Sequence, residues 1–193
     1  MISRLFWVAV IVAAALPIAY ASAATRTFFA FHRYSNTNSY LTINRQDVYT
    51  GAILSQQGLR AGSGTSTDEC AVGQGWLPGG WYDVVGHFDH YTGSKIQGRA
   101  WQLSDKRCYG GTGNLRTELF IHSEETSDNG QYCPTPYDDH FCWEGDFDYY
   151  SNGCIKLAHA QPYPSDIAKA DNDWDAWDGR SGYFTAYSAL FVS

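Results

Sequence analysis

Short stretches in which apolar and polar residues alternate, many of them aromatic, recur along this chain and limit it to a sheet-based fold. Residues 27–34, 40–44, 48–54, 81–85, 96–103, 116–122 and 149–157 read as strands, and residues 182–192 as a last one. Turn formers separate them: Asn36 and Asn38, a Gly- and Ser-rich loop over residues 58–67, and Pro78-Gly79-Gly80 before Trp81. Only residues 165–170 read as a helix, with Ser165 as N-cap and Asp166 in the first turn. No fixed-period repeat, linker or break in composition divides the chain. The expectation is one mainly β domain with long connections and a short helix after the strand that carries Cys154.

Arg4, an apolar run over residues 5–19 and Ala21-Ser22-Ala23 have the layout of a secretory signal peptide, expected over residues 1–23. Residues 24–193 are then the exported domain, with a periplasmic, cell-wall-associated or extracellular location expected. No later stretch is apolar enough to cross a bilayer, so no stable span is expected after cleavage. An uncleaved N-terminal anchor is the alternative. The formal net charge is −7 and no basic cluster is present, which argues against nucleic acid and anionic membrane surfaces as partners.

Five cysteines in an exported chain leave one over when the others pair. Cys133 and Cys142 are close together in a Pro-, Asp- and Gly-rich loop and suit a local staple. Cys70 and Cys108 would then close a longer loop, although spacing does not exclude other connectivities. That arrangement frees Cys154, which follows Ser151-Asn152-Gly153 and precedes the strand-like Ile155-Lys156-Leu157. Glycine there lets backbone N–H groups turn towards an oxyanion beside the sulfur. A thiol also needs a base or cation close by to become a nucleophile.

Of six histidines, His122 is the best placed, at the end of the apolar Leu119-Phe120-Ile121. The Ser123 carbonyl can accept from one ring nitrogen and leave the other for the thiol. The expected centre is a Cys154 sulfur held ionised beside His122, with backbone amides of Asn152, Gly153 and Cys154 facing the oxyanion. The rival reading is an inert, buried Cys154 and a structural histidine at a strand end.

These residues resemble a family. Phe120-Ile121-His122-Ser123, a loop, and Ser151-Asn152-Gly153-Cys154-Ile155-Lys156-Leu157 are similar to the L,D-transpeptidase catalytic domain, whose pattern is histidine, loop, then Ser-His-Gly-Cys, an apolar residue and usually arginine or asparagine. Leu77-Pro78-Gly79-Gly80-Trp81-Tyr82 resembles that family's Thr-Pro-x-Gly-x-Tyr turn, and Ser165-Asp166-Ile167 its helix after the cysteine. Asn152 stands where the family usually has histidine, Lys156 where it often has arginine, and the loop between His122 and Cys154 is longer. The resemblance implies a cysteine acyltransferase acting on peptidoglycan tetrapeptide stems through a thioester, as L,D-transpeptidase or L,D-carboxypeptidase. It implies no metal and no organic cofactor. The alternatives are a wall-targeting toxin or D-amino-acid exchange enzyme of the same fold, and a non-catalytic, aromatic-rich binding module.

Several residues carry two readings. Arg116 suits a clamp for a substrate carboxylate, with Lys156 beside it, or is an ion-paired surface arginine. His87-Phe88-Asp89-His90 and Asp138-Asp139-His140 lack the spacing of a zinc site. Asp171-Asn172-Asp173-Trp174-Asp175-Ala176 begins like a calcium loop but has Ala176 where glycine is required, and reads as an acidic, solvated turn. Trp76, Trp81, Tyr82, Trp101 and Trp143 line a groove or, more in keeping with aromatic burial, fill a core.

Overall fold

A computed structural model describes residues 24–134, 141–160, 164–177 and 189–193. Eight strands close into a barrel in the order β1 (Thr25–His32), β10 (Ala189–Val192), β4 (Gly80–Thr92), β5 (Gln97–Leu103), β8 (Phe120–His122), β9 (Ile155–Leu157), β3 (Ile53–Ser63) and β2 (Ser39–Asp47). Among the described residues, β6 (Lys106–Arg107) and β7 (Leu115–Arg116) form a separate two-stranded sheet. Closure leaves the barrel no bare edge. The mainly β expectation holds, as do the strands expected around residues 27–34, 40–44, 81–85 and 96–103.

Several expectations along the chain are corrected; of the strand expected over residues 149–157 only Ile155–Leu157 forms, and Tyr149 ends a 3₁₀ turn. Residues 48–52 turn the β2–β3 hairpin, and β3 runs through the stretch expected as a Gly- and Ser-rich loop. Its glycines are there for close approach: a Cβ on Gly58 would collide with the Tyr40 ring, and one on Gly62 with Tyr149 and the Asn36 carbonyl. The stretch expected as one strand over residues 116–122 is broken between β7 and β8, where Glu118 takes a φ of 55°. Of the expected last strand, residues 182–188 lie outside the described residues; the remainder includes β10.

Alternation sends one face of each strand inward. Phe29, Phe31, Leu41, Ile43, Tyr82 and Trp101 are all buried in a single cluster. The helix Asp166–Ala176 adds Ile167, Ala170 and Trp174 to that cluster, with Trp174 stacked on Phe29 at 5.1 Å between ring centroids. Its start is as expected: the Ser165 hydroxyl accepts the Ala168 N–H at 3.4 Å. Ser165→Ala should cost about 1 kcal/mol, read as a lower midpoint in urea with an unchanged slope.

The acidic run expected as a solvated turn is instead helical. Asp171 is buried and pairs with His87 Nε2 at 2.8 Å and Arg99 Nε at 3.2 Å. His90 points elsewhere, its Nδ1 lying 2.9 Å from the Ser127 carbonyl. The Asp138-Asp139-His140 motif lies outside the described residues.

Candidate active site

Most neighbouring strands are antiparallel, but β8 and β9 run parallel, with Ile121 opposite Ile155 and His122 opposite Lys156. Parallel neighbours need a long crossover. The long segment between His122 and Cys154 is that crossover, which explains why a chain of hairpins carries it at all. The Cys133–Cys142 disulfide lies within it, with 5.0 Å between Cα atoms. Cys70–Cys108 forms the second disulfide at 5.4 Å, and Cys154 is the free cysteine.

The pairing fixes which side chains share a face. Ile121, Ile155 and Leu157 point into the core with no exposure. Phe120, His122, Cys154 and Lys156, one residue out of phase, therefore face the other way. They line a cleft of about 670 Å³, together with Glu118 and Glu124 among others. Extending the register places Cys154 opposite Phe120 and one diagonal step from His122, roughly 8 Å between Cα atoms from strand spacing and rise.

His122 has the expected orientation. Its Nδ1–H donates to the Ser123 carbonyl at 2.8 Å, which leaves Nε2 as the acceptor. Burial, and then the nearby Lys156 ammonium, lower its pKa to about 3. The Cys154 thiol moves the opposite way: burial raises it to about 11, against a Phe120 backbone hydrogen bond and the positive charges of Lys156 and Arg116. The thiol donates to the Glu118 carbonyl at 3.7 Å. The expected thiolate is therefore corrected to a resting pair of neutral thiol and neutral imidazole.

A thiol raised to about 11 gains thiolate about tenfold per pH unit on the way up. Alkylation of Cys154 by iodoacetamide should thus be slow at neutral pH, rise about tenfold per unit towards about pH 10, and become fast at neutral pH only after unfolding. Intact-mass time courses would read this; rapid labelling of the folded protein at neutral pH would contradict it.

The loop before the sulfur is held by two side chains. Ser151 Oγ accepts the N–H groups of Gly64 at 2.9 Å and Gly153 at 3.1 Å, and donates to the Cys154 carbonyl at 2.7 Å. The Gly153 amide, one of the three expected oxyanion donors, is engaged there. Arg116 is the second holder. Its guanidinium donates to the carbonyls of Glu69 at 2.7 Å, Asn152 at 3.0 Å and Gly75 at 3.5 Å, and the residue is buried. Arg116 is therefore neither a carboxylate clamp nor a surface arginine: its donors face backbone, outside the cleft lining. Gly153 sits against it with a φ of 116°, where a Cβ would collide with the guanidinium.

Lys156 does line the cleft, but its ammonium pairs with Glu124 Oε1. Burial raises Glu124 to about 7; Lys156 opposes that rise, and Asp148 and Glu144 add to it. Glu118 and Glu124 belong to no sequence motif, and neither was expected as a site residue. The only local signal was their alternation with residues of the strand that delivers His122. The tryptophans and Tyr82 expected as groove or core divide without entering the cleft. Tyr82 and Trp101 are core, Trp81 lies over Phe191, Trp143 meets Tyr149 edge-on, and Arg33 covers Trp76. Tyr91 and Tyr150 are the tyrosines of the cleft lining.

Comparison with models of known protein families and with curated proteins finds no match for this chain.

Proposed function

We propose that the protein is a cysteine acyltransferase of the L,D-transpeptidase kind, acting on peptidoglycan tetrapeptide stems. The observation that carries this reading is the free cysteine sharing one cleft with a histidine whose Nδ1 is locked on a backbone carbonyl. Cys154 Sγ attacks the carbonyl of the third stem residue while its proton passes to His122 Nε2. Because the resting pair is neutral, proton transfer accompanies attack. His122 then returns the proton to the departing D-alanine amine, and the C–N bond breaks to leave a thioester on Cys154. An amine resolves the thioester in transpeptidation, water in carboxypeptidation. With the Gly153 amide engaged by Ser151, the backbone amides of Asn152 and Cys154 remain as candidates to face the oxyanion.

The test is to incubate the folded protein with purified stem tetrapeptide and follow D-alanine release by mass spectrometry. Release that persists in Cys154→Ala would remove the mechanism. The second reading, a binding module with an inert cysteine, draws on the protonated thiol and its bond to the Glu118 carbonyl. Under that reading no release occurs at any pH.

A further inference from the structure

Beyond His122, the chain leaving β8 buries Ser123, Glu124 and Glu125 in succession. The Glu124 side chain is only 6% exposed. Lys156 occupies its Oε1, whereas Oε2 is buried with no hydrogen-bond partner among the described residues. An orphaned carboxylate oxygen in that position is costly unless something positive reaches it.

Two more carboxylates converge there from the far end of the crossover. One oxygen from each of Glu124, Glu144 and Asp148 lies within 4.8 Å of the others. Asp148 is 7% exposed, in the 3₁₀ turn Asp146–Tyr149. Its Oδ2 accepts the amides of Glu144 and, at 2.7 Å, Gly145, which fixes the turn and the carboxylate together.

We propose that Glu124, Glu144 and Asp148 bind a hard divalent cation, with calcium the best fit. The donors are all oxygens, without the imidazole or thiolate that zinc and copper prefer. Oxygens held about 2.3–2.6 Å from one calcium ion can stand up to about 5 Å apart, which the cluster satisfies. Three carboxylates, some bidentate, with water completing the shell, reach the coordination number calcium takes. The ion would pin the end of the crossover, just past the Cys133–Cys142 disulfide, to the barrel wall beside the cleft. It plays no part in the acyl-transfer steps above and stands or falls apart from them.

Terbium is the probe, because Trp143 directly precedes Glu144 and can sensitise its emission. Titration of the folded, disulfide-intact protein should give saturable emission, displaced by calcium with a dissociation constant on the order of 10⁻⁴ M. Glu124→Gln and Asp148→Asn should each weaken terbium binding at least about tenfold, while Asp83→Asn, an exposed control on β4, should not. Glu144→Gln, on an exposed residue, keeps the test decisive if a buried variant fails to fold, and should likewise weaken binding. The proposal is overturned by emission that does not saturate, that calcium fails to displace, or that survives Glu144→Gln and Asp148→Asn unchanged.

Discussion

Replacing Cys154 with alanine should lower D-alanine release from a tetrapeptide stem by about 10⁴-fold or more, and His122→Ala should cost nearly as much. Under the proposed mechanism the two act as one device, since without sulfur there is nothing for the imidazole to deprotonate. The double variant is therefore expected to be no slower than the worse single one, and a multiplicative loss would mean separate roles. Ser123 is a poor target for mutation in this series, because its contribution to His122 is a backbone carbonyl that any residue retains. Folding should be checked beside each rate. Cys154 is small and removing its sulfur leaves little space, so circular dichroism and thermal midpoint should stay near those of the parent protein.

The largest stability effect is expected from Arg116→Ala. The guanidinium is buried and satisfies carbonyls of Glu69 and Gly75 in one loop and of Asn152, far along the sequence. Hydrogen bonds from a charged donor contribute about 1.5–3 kcal/mol each and carbonyls stranded in the interior add to the loss, so about 3–5 kcal/mol is expected. In a domain of this size that lowers the melting temperature by roughly 6–20 °C. Arg116→Lys should recover little, because an ammonium cannot present the planar fork that spans three acceptors. Calorimetry of both variants checks this. A drop of only a degree or two in Arg116→Ala would place the guanidinium at the surface, against the geometry described here.

How far the sequence led depended on whether a feature was local. The barrel strands were visible where alternation was uninterrupted, as in β1 and β5. β3 was hidden because Gly58 and Gly62 carry the composition of a loop, and only Tyr40 and Tyr149, packed against them, explain their presence. Cys154 and His122 were legible because each sits in its own short pattern, and the odd cysteine count singled out the first. Arg116 was misread because its partners are backbone carbonyls, to which side-chain identity gives no clue. The resting protonation state was also hidden, since it comes from the burial of both groups and, for His122, from Lys156 across the strand pair. The carboxylate cluster was invisible for the same reason: Glu124, Glu144 and Asp148 meet only because the crossover returns to the barrel. The expectation of no metal came from contiguous motifs and from the family resemblance, neither of which touches this cluster.

The position of β10 governs when the molecule can become whole. It is inserted between β1 and β4, parallel to the first and antiparallel to the second. Once β1 and β4 are made, their facing borders stay unpartnered until residues 189–192 arrive. Ribosomal stalling or proteolytic clipping before β10 would yield an open ladder inclined to self-associate, so loss of that strand registers first as precipitate.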